Sequence, residues 1–177
     1  HLQTLRTVVR EESKQAIASL AQVGASPRRQ YTDLPGTVEG VRVFLESLDW
    51  QKSWIAGGQA SALAVLLANG HGAADREVEP GLLDMFRRFF HALLDAWTGA
   101  YFSGVRPAHG NLMKAAMEVL AALDWLDEPV HAPERLIDTC LSTLPSHEGC
   151  HVVDAVYVLH QCRKYSDHRA DEIREFS

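Results

Sequence analysis

One stretch in the first half of the chain limits the fold more than any other. Residues 55–68 contain no charged side chain and consist almost entirely of small or aliphatic residues. Small residues recur there every three or four positions, at Gly57, Ser61, Ala64 and Ala68. Because this spacing lets neighbouring backbones approach closely, the stretch predicts a tightly packed central helix. A Gly-rich phosphate loop would need a preceding strand and a defined glycine spacing, and the sequence shows neither.

The other apolar segments also follow helical spacing. Residues 82–97 and 112–123 each repeat large apolar side chains every three or four positions, and no segment alternates long enough to predict a strand. The sequence therefore predicts an all-α protein of seven to eight helices, arranged as successive hairpins in an irregular bundle. The aromatic side chains of the first segment are expected in the core, namely Phe86, Phe89, Phe90 and Trp97.

The N-terminal segment is separated from the rest by a connector. Residues 1–24 predict a long amphipathic helix, whose apolar positions include Leu2, Leu5, Val9, Ala16, Leu20 and Val23. Residues 25–36 are rich in helix breakers, and Thr37 can cap the next helix. We predict an interaction arm at 1–24 and a helical-hairpin domain at 37–177, with the arm packing on a neighbouring subunit, an absent domain or its own chain.

Charge and cysteine content narrow the function classes. The 177 residues carry a formal charge of -6 and a pI near 5.8, whereas surfaces that bind nucleic acid or anionic membranes need dense basic patches. We therefore predict neither partner. With three cysteines and no leader-like start, a reducing and cytoplasmic location is expected. Nowhere do 18 apolar residues run consecutively.

A later stretch, from Ser146 to Cys162, concentrates reactive side chains on one predicted helix. Helical geometry places Cys150, Asp154 and Tyr157 along one stripe, with Val152, Val156 and Leu159 opposite them. The aliphatic residues predict a core contact. If the domain has a pocket, Cys150, Asp154 and Tyr157 are expected to face it.

Two kinds of chemistry are open to this stretch. His147, Cys150, His151 and Asp154 offer the ligand types that a divalent metal such as zinc accepts, although their spacing matches no established zinc signature. A thiol nucleophile at Cys150 or Cys162 would need a histidine base such as His109. The alternative is structural, because cysteine often serves as a small buried apolar residue. No cofactor is predicted, and a divalent metal is the one candidate ion.

Two other segments carry candidate functional groups. Residues 98–110 form a long glycine-containing connection that ends at His109, and loops of this kind often line sites. His109 and Gly110, with Asn111 as the expected helix cap, can present N–H groups to an anion. Carboxylates cluster near His131, which leaves acid and base roles open; they are Asp124, Asp127, Glu128, Glu134 and Asp138.

Residues 53–165 are predicted to form successive helix pairs, joined by loops such as Trp97-Thr-Gly-Ala-Tyr-Phe-Ser-Gly104. This arrangement resembles the α/α-toroid proteins, which include terpenoid cyclases and prenyltransferases. The resemblance implies a partial α/α toroid whose concave pocket is lined by the His109 loop and by the turn with His147 and Cys150. The aspartate-rich catalytic motifs of that group are absent from the sequence. No catalytic residue carries over.

Two functions follow as hypotheses. The first is a helical domain that binds a protein partner or forms a homo-oligomer, and it needs no catalytic motif. The second is an enzyme, or the helical domain of one, that acts on a small-molecule or glycan-like substrate. Its candidate pocket and catalytic residues are His109, Cys150, Asp154 and Tyr157, with His147 also lining the pocket. The net negative charge disfavours DNA binding by a helix-turn-helix motif.

Overall fold

The structure is a computed structural model that describes residues 2–29, 31–69, 79–143 and 151–176. Within these ranges it contains eight α-helices, a short 3-10 helix at Trp50–Lys52, and no strand longer than a single bridge, so the predicted all-α class is confirmed. The α-helices are α1 Leu2–Gln22, α2 Val38–Glu46, α3 Ser53–Ala68, α4 Leu82–Ala92, α5 His109–Trp125, α6 Pro133–Leu141, α7 His151–Arg163 and α8 Ala170–Phe176. None of these helices combines the length and the hydropathy that a bilayer crossing requires.

The centre of the molecule is α3, which packs against α1 on one side and α5 on the other. Every α3 residue from Ala56 to Leu67 is buried, which confirms the central helix that the sequence predicts. Gly57 shows why small residues are needed, since a Cβ there would lie 3.1 Å from the Cβ of Glu118 on α5. The close approach of α3 and α5 therefore depends on the missing side chain.

The remaining helices build outward from this centre. Besides α3, helix α5 packs against α7, and α7 also packs against α6 and α8. Helix α2 packs against α4. Thr37 caps α2 by accepting a hydrogen bond from the backbone N–H of Gly40, as predicted. The closed or partial toroid that the resemblance implies stays a prediction.

An aromatic cluster fixes the position of α4. Trp50 donates its indole N–H to the carbonyl oxygen of Leu45 at 2.9 Å, and its ring lies 5.6 Å from Phe89 and 6.4 Å from Phe90. Phe90 also contacts the buried ring of Tyr101 at 6.5 Å. The core prediction is therefore confirmed for Phe86 and Phe90, which are fully buried, and Phe89 packs against them partly exposed.

The core prediction is wrong for Trp97, whose side chain is 87% exposed. The helix ends at Ala92 instead of continuing to Trp97, and the chain turns back through a bridge between Leu94 and Tyr101. The carboxylate of Asp95 accepts hydrogen bonds from the N–H and the hydroxyl of Thr98, at 2.9 and 2.7 Å. This local turn competes with helix continuation and displays Trp97 at its tip.

Two local expectations are also corrected. Val152 and Val156 are exposed, because the face of α7 that packs on α5 and α6 carries Asp154, Ala155, Val158, Leu159, Gln161 and Cys162 instead. Helical period alone cannot say which side of a helix is buried. Asn111 does not cap α5, since the helix begins two residues earlier at His109.

Candidate functional site

The first turns of α5 and α7 meet, so two segments predicted to line a site do lie together. A Cβ on Gly110 would be 2.9 Å from Cε1 of His151, which means that the imidazole of His151 occupies the space beside the glycine backbone. Two residues of the predicted stretches, Gly110 and His151, are thus in contact at this end of the bundle. The absent side chain of Gly110 is what permits the contact.

Asp154 lies one turn further along α7 and is almost completely buried, with 3% of its surface exposed. Burial raises the pKa of this carboxyl group, and the nearby charges of Lys114 and His151 partly oppose that rise. Its Oδ2 atom has no hydrogen-bond partner in the part of the chain that the structure describes. Lys114 in turn lies over the ring of Trp54, with Nζ 4.7 Å from the ring centroid. Asp154 is therefore buried near the charges of Lys114 and His151, and its role as a site residue stays a prediction.

The other two described candidate residues, His109 and Tyr157, contact groups other than Asp154. Nε2 of His109 lies 3.1 Å from the backbone oxygen of Thr139 on α6, so the ring donates to that carbonyl. Tyr157 is half-buried, and burial raises the pKa of its hydroxyl to about 12, with Asp124 adding to the rise and Gln161 hydrogen-bonded to it. No described hydrogen bond or ion pair joins His109 or Tyr157 to Asp154. The enzymatic hypothesis stays a prediction.

The metal and thiol hypotheses concern residues that are only partly described. His147 and Cys150 lie outside the described residues, and in residues 2–29, 31–69, 79–143 and 151–176 no three His, Cys, Asp or Glu side chains gather as ligands. Cys140 and Cys162 are buried free thiols, and burial raises the pKa of each to about 12. Such thiols are protonated and unreactive at neutral pH.

The contact between α1 and the central helices includes several polar pairs beside the buried Ile17, and the sequence did not indicate these pairs. The side-chain oxygen of Gln59 accepts from Arg10 at 2.8 Å, and its amide nitrogen donates to Glu11 at 2.6 Å. Lys14 forms an ion pair of 3.2 Å with Glu118 of α5. The guanidinium of Arg10 also lies 4.8 Å from the ring centroid of Phe44. We call Arg10, Glu11, Lys14, Gln59 and Glu118 the α1 polar contact.

The opposite side of α1 carries exposed apolar side chains. Leu5 is 60% exposed, Val9 is 44% exposed and Val23 is 77% exposed. They belong to a line of residues at helical spacing that we call the outer stripe. Its members are Leu5, Val9, Glu12, Ala16, Ser19 and Val23. Every member of the outer stripe is exposed. On the inner side of α1, Ile17 is buried beside Lys14, so the helix buries a mixed side and leaves part of its apolar surface exposed.

Comparison of the chain with protein-family models, with curated proteins and with solved structures finds no match in any of the three.

Proposed function

We propose that this chain is a helical protein-interaction domain that self-associates, and that the outer stripe of α1 is its contact surface. The observation that carries the proposal is the exposure of Leu5, Val9 and Val23 on a helix that polar contacts hold with this side outward. Covering these exposed apolar side chains with a partner removes them from water, which stabilises the complex by about 25 cal/mol per Å² of buried apolar area.

The α1 polar contact supports this orientation of the helix. Rolling α1 to bury the outer stripe against α3 would break the hydrogen bonds of Gln59 and the ion pair of Lys14 with Glu118. The charged groups left behind would then be buried without partners, which is costly. The chain therefore keeps its apolar stripe available to another molecule.

A second copy of the chain fits the stripe by symmetry. In an antiparallel pairing about a two-fold axis next to residue 14, Leu5 of one copy meets Val23 of the other, and Val9 meets Ser19. Closed two-fold pairs of this kind use the same surface on both subunits. Glu12 then lies opposite Ala16, and the two copies of Glu12 lie four positions apart along the pair.

Light scattering and sedimentation of the full chain over a wide concentration range test the proposal. We expect a dimer, and we expect Leu5→Glu with Val9→Glu to give a monomer with unchanged helix content. The matched control is Gln15→Glu with Gln22→Glu, which adds the same charge at exposed α1 positions about a quarter turn away from the stripe. A wild-type monomer at all concentrations, or equal loss of dimer in both variants, would overturn self-association through the stripe.

A further inference from the structure

Helix α1 buries few of its own side chains. Among residues 5–22 only Lys14 and Ile17 are buried, whereas α3 buries every residue from Ala56 to Leu67. The attachment of α1 to the bundle therefore depends largely on the α1 polar contact. When polar pairs of this kind separate, water takes the place of each partner. Release of α1 as a unit thus exposes little apolar surface of the helix itself.

The C-terminal end of α1 is complete without help from the bundle. The N–H of Ala25 donates to the carbonyl oxygen of Leu20 at 2.9 Å, and the N–H of Gly24 donates to that of Ala21 at 3.0 Å. Together with the left-handed φ of +68° at Gly24, these bonds form a Schellman cap. Because the chain that follows supplies this cap, α1 keeps its helical end wherever it lies.

The connector after this cap runs back along α1. Its described residues between Gly24 and Asp33 are mostly exposed. Asp33 then reaches the N-terminal half of the helix, where its Oδ2 lies 3.6 Å from Nε of Arg6. From Arg6 to Gln22 the helix rises about 24 Å. In the closed chain, the connector therefore covers roughly the length of α1 before it joins the bundle.

The proposed two-fold pairing brings this connector close to the other copy. Since Leu5 of one copy meets Val23 of the other, Arg6 lies level with Gln22 of the second copy. Packed helices lie about 8–10 Å apart. Asp33, beside Arg6, is therefore nearer to the end of the second copy's α1 than to the end of its own. A connector that crosses to the second copy is shorter than one that runs back along its own helix.

We propose that the two copies exchange their first helices. Each α1 then occupies the docking groove of the other copy, which is the surface around Gln59 of α3 and Glu118 of α5 that α1 covers. A second copy supplies the same Arg10, Glu11 and Lys14, so the α1 polar contact forms unchanged between chains. Exchange of an identical element needs no new surface, which makes it a low-cost route to a dimer. The inference rests on the proposed self-association through the outer stripe.

Cross-linking of the full chain tests the exchange. Thr7 and Ile55 line one cavity of about 370 Å³ between α1 and α3. Thr7→Cys with Ile55→Cys, in a chain that also carries Cys150→Ser, offers this pair to a short bismaleimide, while Cys140 and Cys162 stay buried. We expect a covalent dimer on a denaturing gel.

Two comparisons interpret the cross-link. In the two-fold pairing the two Thr7 positions lie about 21 Å apart along the axis, so a short reagent does not join them directly. With Leu5→Glu and Val9→Glu added, the monomeric chain closes on itself, and we expect an internally linked monomer instead.

The outcomes separate the exchange from the outer stripe. An internally linked monomer in both backgrounds would show that α1 stays on its own chain. If light scattering then finds a dimer, the exchange is overturned and the outer stripe remains the contact surface. A wild-type monomer at every concentration overturns both proposals.

Charge reversal gives a second readout. Lys14→Glu places two carboxylates at the contact with Glu118, and Glu118→Lys in a separate preparation places two ammonium groups there. Each variant alone should melt below the wild type, because like charges are held nearly out of water. After refolding of an equimolar mixture, exchange brings opposite charges together at both contacts. The melting temperature should then rise about 5 °C or more above that of either variant.

The matched control reverses a pair that the exchange leaves within one chain. Asp124→Lys and Lys164→Glu, refolded together, should melt as the two variants do separately, because this pair joins α5 and α7. No rise for the Lys14 and Glu118 mixture, or an equal rise for the control mixture, contradicts the exchange.

Discussion

Lys14 of α1 and Glu118 of α5 form an ion pair that is nearly removed from water, with 11% and 14% of the two side chains exposed. The pair joins the first helix to the centre of the bundle across 104 positions of sequence. Taking both charges out of water is costly, so the pair holds α1 in one orientation more than it adds net stability.

Removal of one member of this pair should destabilise the fold. We expect Glu118→Ala to lower the free energy of unfolding by about 2 to 4 kcal/mol, because Lys14 is left buried without its partner. Urea denaturation measures the loss. Lys164→Ala breaks the pair with Asp124, whose side chains are each 39% exposed, and should cost less than about 1 kcal/mol. A similar loss in both variants would contradict the burial of the α1 polar contact.

Gly99 should not tolerate a side chain. Its φ of +70° is unfavourable for other residues, and a Cβ would lie 2.7 Å from the backbone nitrogen of Leu136 and 2.9 Å from the backbone oxygen of Ala132. We expect Gly99→Ala to cost more than about 3 kcal/mol in urea denaturation. Gly24→Ala is the matched control, because Gly24 has a φ of +68° but no atom within 4 Å of the added carbon. It should lose only about 1 kcal/mol.

The buried carboxyl group of Asp154 should make stability depend on pH. Its folded pKa lies above the ordinary value of 3.8, so the folded state binds more protons than the unfolded state between these two values. Stability contributed by the protonated group is therefore lost as the pH rises through that interval. We expect Asp154→Asn to raise the melting temperature at pH 7 and to have little effect below pH 3.8. A lower melting temperature of this variant at pH 7 would show that the charged carboxylate is held by a stabilising partner.

The two described thiols should be inert in the folded protein. Cys140 and Cys162 are buried, and the pKa of each is raised to about 12. We expect a Cys150→Ser variant to give no reaction with a thiol reagent under native conditions and two equivalents after unfolding in denaturant. Rapid native reaction of one equivalent would contradict the burial and reopen the nucleophile hypothesis for Cys162.

Some features of the fold follow from neighbouring residues alone, and others depend on contacts between distant parts of the chain. The central helix α3 follows from its own residues, because an uncharged stretch rich in small side chains can only be buried. The orientation of α1 does not, since it depends on Arg10 and Glu11 meeting Gln59 nearly fifty positions later. Helical spacing identifies the residues that share a side of a helix, and distant partners decide which side is buried.

The same distinction applies to the candidate sites. The stripe of Asp154 and Tyr157 was predicted to face a pocket and the valines opposite to contact the core. In the structure Asp154 is buried, whereas Val152 and Val156 are exposed, because apolar character alone does not decide which side is buried. The contact between the hydroxyl of Tyr101 and Nδ1 of His131 joins positions 30 residues apart, so helical spacing gives no sign of it.

Replacement by alanine should destabilise the fold strongly at Trp50 and hardly at all at Trp97. Trp50 is 6% exposed and donates a hydrogen bond to Leu45, so Trp50→Ala removes a large core side chain and should cost about 3 to 5 kcal/mol in urea denaturation. Trp97 lies at the tip of a turn held by Asp95 and Thr98, so Trp97→Ala should change the free energy of unfolding by less than about 0.5 kcal/mol. Acrylamide should quench the fluorescence of Trp97 far more strongly than that of Trp50. A loss above about 1 kcal/mol for Trp97→Ala would contradict the exposure of this side chain.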